Sequence, residues 1–224
     1  MRKIIVLLLF SGMTIAQIMG QEKTKTEPEF LFSREQGISI SGFGGPITEF
    51  SGIDGSFGVS VGGGGAVLIN QMFFFGGYGQ GLTTDQPRYS ITLMQGDNAL
   101  AYSNLRPQIG HGGFWLGYIH PSHKIFHWAL STKIGWGGIT YSQGSNENNI
   151  DELGTDGIFV LTPQAEIEIN LFTWFKLNLG VGYRYVGGLD AKYNTPEGLK
   201  PLMSSGALNS PVGSIALMFG NFVK

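Results

Sequence analysis

The chain has 224 residues, a formal net charge of −2, 36 glycines and no cysteine. Without cysteine there is neither a disulfide nor a lipoprotein anchor, and with no basic patch interleaved with aromatics nucleic acid is excluded as a partner. The length suits one domain. Beyond the N-terminal segment no stretch is apolar for the roughly 20 residues that a membrane helix needs, so any span of a bilayer must be a closed barrel, which leaves no sheet edge unpaired in lipid.

The first residues, Met1-Arg2-Lys3, precede an apolar run from Ile4 to Phe10 and small residues at Gly12, Ala16 and Gly20. A charged start, a short apolar core and small residues read as a secretory signal peptide over 1–20, cleaved after Ala16 or after Gly20. Residues 21–34 are charged and contain Pro28, and a flexible periplasmic lead-in is expected there. From Glu35 onward the pattern is one of strands, and 35–224 is predicted to form a transmembrane β-barrel.

The first predicted strand is Gly37 to Gly45, with Ile38 and Ile40 opposite Ser39 and Ser41. The second, Gly55 to Ile69, puts Phe57, Val59, Val61, Val67 and Ile69 on one face. After a tight turn at Asn70-Gln71 come Met72 to Leu82, then Leu105 to Ile119, then Phe126 to Ile139. In that fifth strand Phe126, Trp128, Leu130, Thr132, Ile134 and Trp136 oppose His127, Ala129, Ser131, Lys133 and Gly135, a period of two that defines an extended strand with unlike faces. The sixth, Ile158 to Ile169, opposes Ala165, Ile167 and Ile169 to Gln164, Glu166 and Glu168. The seventh, Phe175 to Val186, opposes Leu177, Leu179, Val181, Tyr183 and Tyr185 to Lys176, Asn178, Gly180, Gly182 and Arg184. The eighth is Ser210 to Phe222.

Three connections are short: Asn70-Gln71, His120 to Ile125, and Asn170 to Trp174. Four are predicted to be longer: Pro46 to Asp54, Thr83 to Asn104, Thr140 to Gly157, and Gly187 to Asn209. Strict alternation of short and long connections is the signature of an outer-membrane barrel, with short periplasmic turns and longer outward loops. The fold class expected is therefore all-β: an eight-stranded antiparallel up-and-down transmembrane barrel, with outer-membrane lipid against its apolar face.

With the apolar face outward, Lys133, Glu166, Glu168, Lys176 and Arg184 all point into the lumen. An eight-stranded barrel is just wide enough to be filled by side chains, and buried charges of both signs are tolerable when paired. A lumen ion-pair network is expected, with Glu166 and Glu168 as partners of Lys133. Gly62, Gly64, Gly110, Gly112, Gly135, Gly180 and Gly182 are expected to make room for it. Aromatic girdles mark both membrane interfaces. Phe126, Trp128, Phe172, Trp174, Phe175 and Phe222 are assigned to the periplasmic one, and Trp136, Tyr141, Tyr183 and Tyr185 to the outer one.

Other motifs carry less. Gly76-Gly77-Tyr78-Gly79-Gln80-Gly81 resembles a nucleotide loop in spacing only, because no helix follows. His120, His123 and His127 cluster at one turn, but three imidazoles bind a metal only if they converge, and Pro121 and Lys124 mark an ordinary polar turn. Glu147, Asp151, Glu152 and Asp156 lack calcium-loop spacing. No serine sits in a nucleophile elbow. No catalytic residue, cofactor or metal is expected.

Tyr89-Ser90-Ile91-Thr92-Leu93 and Ala99-Leu100-Ala101-Tyr102 flank Gly96-Asp97-Asn98, a hairpin signal. The ribbon would project beyond the membrane, and Tyr89, Ile91, Leu93, Leu100 and Tyr102 are the residues expected to meet a partner by strand addition. Leu199, Pro201, Leu202 and Met203 would either fold onto the barrel mouth or face a partner.

With the Asn70-Gln71 turn, the inward charges and the Gly/aromatic strands in view, the chain resembles the small eight-stranded outer-membrane proteins of Gram-negative bacteria, of OmpA/OmpX-like architecture. The run from Gly62 to Gly79 is similar to uncharacterised Bacteroidetes barrels. The resemblance implies a non-enzymatic outer-membrane barrel with a filled lumen. Its role would be structural or adhesive, or that of an accessory subunit of an outer-membrane complex with a protein partner at its outer loops. A narrow channel for small solutes and a membrane-embedded lipid-modifying enzyme are the alternatives.

Overall fold

The computed structural model describes residues 37–86, 88–120, 124–143, 153–204 and 206–222. The predicted signal peptide and lead-in lie outside the described residues, as do His123 and the acids Glu147, Asp151 and Glu152.

The described strands are β1 (Ile40–Ile53), β2 (Ser56–Ile69), β3 (Phe73–Leu82), β4 (Tyr89–Gln95), β5 (Asn98–Ile119), β6 (Phe126–Gln143), β7 (Asp156–Phe172), β8 (Phe175–Gly187), β9 (Tyr193–Thr195), β10 (Gly198–Lys200) and β11 (Ser210–Gly220). Eight of them form the wall, in the order β3-β2-β1-β11-β8-β7-β6-β5, and β3 pairs back onto β5 to close it. Every neighbouring pair is antiparallel. The remaining member of the sheet, β4, pairs with β5 beyond the end of β3, and β9 with β10 makes a separate small ribbon.

The period of two survives intact in three dimensions. Along most of β6, β7 and β8 the residues at the charged parity are buried and their apolar neighbours are exposed or half-buried. The curl demands glycine where one strand presses on the next. A Cβ on Gly62 would lie 2.0 Å from the Gly79 carbonyl oxygen, and one on Gly76 would lie 1.9 Å from that of Gly65. Of the glycines expected to line the lumen, Gly110 and Gly112 instead lie on the outward face, because the inward parity of β5 belongs to Leu105, Trp115 and Ile119.

The first strand is longer than its sequence implies, and the predicted long connection from Pro46 to Asp54 does not exist. β1 runs on through Glu49 to Ile53, and Asp54-Gly55 alone joins it to β2. Both turn residues have positive φ, 46° and 79°. That conformation belongs to the two-residue turn whose twist matches the strands it joins. Pro46 is tolerated because the ladder between β1 and β11 passes from Gly44–Phe219 to Ile47–Ala216 without pairing Gly45 or Pro46, so no strand bond requires the missing proline N–H. Short and long connections therefore do not alternate strictly, since the first outward connection is as tight as Asn70-Gln71. The end of the barrel holding Asn70-Gln71 and Thr173-Trp174 is called the turn end below, and the other the loop end.

Inside, two apolar clusters bracket a polar layer. At the turn end Phe43, Phe74 and Trp115 meet edge to face, with centroids 5.1–5.6 Å apart, a geometry aromatic pairs prefer. At the loop end Ile53, Leu105, Ile139, Val160 and Leu208 are buried together.

Candidate functional site: the lumen and the loop end

The polar layer divides into two groups of charges. One is centred on Glu49, which β1 carries to the middle of the lumen fully buried. Lys133 on β6 donates to its Oε2 at 3.2 Å, and Arg184 on β8 approaches its Oε1 at 3.7 Å. The guanidinium is held by two carbonyl oxygens, Leu208 at 3.0 Å and Gly52 at 2.9 Å. The other group surrounds Glu168 on β7. It accepts from His127 Nε2 at 2.7 Å, Lys176 Nζ at 3.0 Å and Asn178 Nδ2 at 3.1 Å. Glu166 beside it accepts from Ser131 and, at 3.2 Å, from Asn178.

All five charges expected in the lumen are buried there. The pairing differs from the expectation: Lys133 hydrogen-bonds Glu49 and neither Glu166 nor Glu168. Sequence reading missed Glu49 because it placed residues 46–54 in a loop. The signal that would have recovered it is the Asp54-Gly55 dipeptide, a strong short-range hairpin mark, with Ile47, Glu49, Ser51 and Ile53 at one parity before it. His127, Ser131 and Asn178 were at the right parity but were assigned no partner.

The aromatics mostly follow their parity. Phe172, Trp174, Phe175 and Phe219 stack in series around the outward turn end. Two assignments are corrected. Phe222 turns under the barrel, 6.1 Å from Phe43, with the Lys176 ammonium 4.4 Å over its ring. Tyr141 falls at the odd parity of β6, so it points inward and is buried in the loop-end cluster.

The ribbon of β4 and β5 has the predicted turn at Gly96-Asp97, with Gly96 at φ 62°. Its apolar face is turned over the mouth. Leu93 is buried in the loop-end cluster, Tyr89, Ile91 and Tyr102 pack against it, and Leu100 is more exposed. Tyr89 meets Tyr141 edge to face at 6.3 Å and donates to Asp54. Burial and then that acid hold its hydroxyl above the usual phenol range. From the last long connection Met203 and Leu208 are buried in the same cluster, while Leu199 on β10 stays exposed. Tyr193 on β9 donates to the Leu153 carbonyl at 3.1 Å. The mouth is thus closed by loop side chains.

The described histidines do not converge. His120 stacks on Trp128 at 4.8 Å, His127 turns into the lumen, and His111 stands midway, its Nδ1 3.1 Å from the Tyr78 hydroxyl. The glycine run 76–81 lies within β3 and its pairings to β2 and β5.

No protein-family model and no curated protein matches the chain. Among solved structures it is similar to Neisserial surface protein A (NspA), at 10% identity and a TM-score of 0.49, over 84% of this chain and 99% of that one. It is also similar to Ail, the attachment invasion locus protein of Yersinia pestis, at 11% identity and a TM-score of 0.42, over 81% of this chain and 95% of that one. The closed barrel itself stands on the strand register of this chain.

Proposed function

We propose that the protein is a non-enzymatic outer-membrane barrel with a side-chain-filled lumen, which works through its outward ribbon as a structural, adhesive or accessory subunit. The observation that carries this reading is the division of labour between its faces. Bulky apolar groups such as Phe57, Val181 and Trp136 are exposed around the wall, whereas Glu49, Lys133, Glu166, Glu168, Lys176 and Arg184 are buried within it. Water inverts that arrangement and lipid favours it. The loop-end cluster over the charges favours a plugged barrel over a solute channel.

Partner contact is assigned to β4. It pairs with β5 on one edge and forms no ladder with a described strand on the other, although β9 lies close to it. From Tyr89 to Gln95 it has no charge and no proline, so it lacks the usual guards of an exposed edge. An extended segment of a partner protein is the occupant that completes such an edge.

The test is fractionation followed by reconstitution. The mature chain is expected in the outer membrane, and in planar bilayers it is expected to pass no steady current. Recovery as a soluble periplasmic monomer overturns the membrane assignment, and a stable unitary conductance overturns the filled lumen.

A further inference from the structure

The outer wall is not evenly filled. A groove of ≈ 420 Å³ opens on it near the turn end, across β3, β5 and β6. Residues of outward parity form its sides: Phe73 on β3, Leu116 and Tyr118 on β5, Leu130 and Thr132 on β6. The floor is the backbone at Gly117, sealed from inside by the Phe74 ring, which lies 2.5 Å from where a Cβ would stand.

The strand register explains the hollow. Phe73, Tyr118 and Leu130 stand side by side across the three strands, and Leu116 pairs with Thr132 in the next row. One row further toward the loop end, Phe114 pairs with Ile134. Thr132 is therefore a short side chain between two branched apolar ones on β6, and it is half-buried where Leu130 is exposed.

The two ends of the groove differ. Its apolar length faces the medium of the outer wall, and beside hydrocarbon a hollow is filled by hydrocarbon, because an empty one forfeits the dispersion contacts of its lining. Toward the turn end, Phe73, Tyr118, Trp128 and His120 follow one another with ring centroids 5.1, 5.8 and 4.8 Å apart. Tyrosine and tryptophan have an apolar body and a polar tip, and they settle at the headgroup level of a bilayer. The turn from β5 to β6 carries the exposed Lys124 to that same end. A basic residue at the membrane surface attracts an anionic headgroup. Apolar slot, amphipathic rim and cation follow in the order of a phospholipid read from tail to phosphate.

We propose that the groove across β3, β5 and β6 holds one acyl chain of a bound phospholipid, whose phosphate lies at the turn end beside Lys124. This rests on the membrane reading, and it adds a lipid held at one place on the wall to the lipid that surrounds all of it.

The test uses the full mature chain refolded into phosphatidylcholine vesicles that contain a small fraction of phosphatidylglycerol with a diazirine on its acyl chain. After illumination, carbene insertion is mapped by proteolysis and mass spectrometry. Insertion is expected to be several-fold greater at Leu116–Tyr118 and Leu130–Thr132 than at the exposed Ile215 and Leu217 of β11, which stands four places from β5 in either direction. Thr132→Trp, which fills the groove with an apolar ring, is expected to abolish the excess. Ile215→Trp, which adds the same ring on the opposite wall, is expected to leave it. Lys124→Gln is expected to lower it about fivefold, the effect of one basic residue on an anionic headgroup. Even insertion around the wall overturns the proposal and leaves the membrane reading standing. A groove left unlabelled while the rest of the wall is labelled, as a second copy seated there would leave it, also overturns it, as does an excess that Thr132→Trp or Lys124→Gln leaves undiminished. Insertion into no strand at all overturns the membrane reading itself.

Discussion

Glu49 and Lys133 join opposite walls of the barrel. Their strands, β1 and β6, stand four places apart in either direction around the ring, yet Nζ and Oε2 are 3.2 Å apart and both side chains are buried. The pair spans the diameter and, with Arg184, ties three strands through one carboxylate.

Removing that carboxylate leaves two buried cations without their acid. Glu49→Ala is expected to destabilise the barrel by about 3–5 kcal/mol, the cost of breaking a buried pair from one side. The double variant Glu49→Gln with Lys133→Met is expected to recover part of this loss, because no lysine is then left unpaired. Urea unfolding in detergent, followed by tryptophan fluorescence, measures both.

Glycines that curl the wall are distinguished from glycines that are merely small. Gly76→Ala drives a methyl into the Gly65 carbonyl and is expected to cost about 1–3 kcal/mol, as overpacking does. Gly79→Ala, whose methyl meets nothing within 4 Å, is expected to be near neutral. Equal unfolding midpoints for the two variants contradict this account of the curvature.

The solvent of the outward face is testable at one residue. Val181 is 68% exposed on β8. In water Val181→Lys is expected to change little. Against hydrocarbon it is expected to cost up to about 2–4 kcal/mol near the bilayer midplane. Refolding into lipid vesicles, compared with refolding into small micelles that deform around the charge, separates the two.

The edge of β4 that no described strand pairs gives a fourth test. Alternation along the ladder turns the N–H groups of Thr92 and Met94 away from β5. Thr92→Pro is expected to abolish co-purification of a strand-adding partner while leaving the barrel folded, and Thr92→Val is expected to retain it. Cross-linking in whole cells followed by pull-down of the barrel reads the difference. Undiminished capture by the proline variant removes β4 as the docking edge.

Much of the wall was legible because a strand repeats every two residues, so a few positions fix the face of all the others. Trp128 and Lys133 are separated by an odd step, and that alone puts one outside and one inside. The reading failed where local chemistry interrupted the pattern. Pro46, following Gly44 and Gly45, looked like the end of a strand, and it hid Glu49. It is tolerated only because β11 makes no ladder bond there, a fact about a neighbour more than 160 residues away in sequence.

Sequence alone determined which residues share a face within the alternating stretches of β6, β7 and β8, since parity is a property of a single extended chain. It also determined that buried charges of both signs would have to be matched. Tertiary structure decided who matches whom. Face says nothing of height, and height in a tilted barrel follows from the register of every strand between two residues. That register sets Lys133 opposite Glu49 and gathers His127, Lys176 and Asn178 on Glu168.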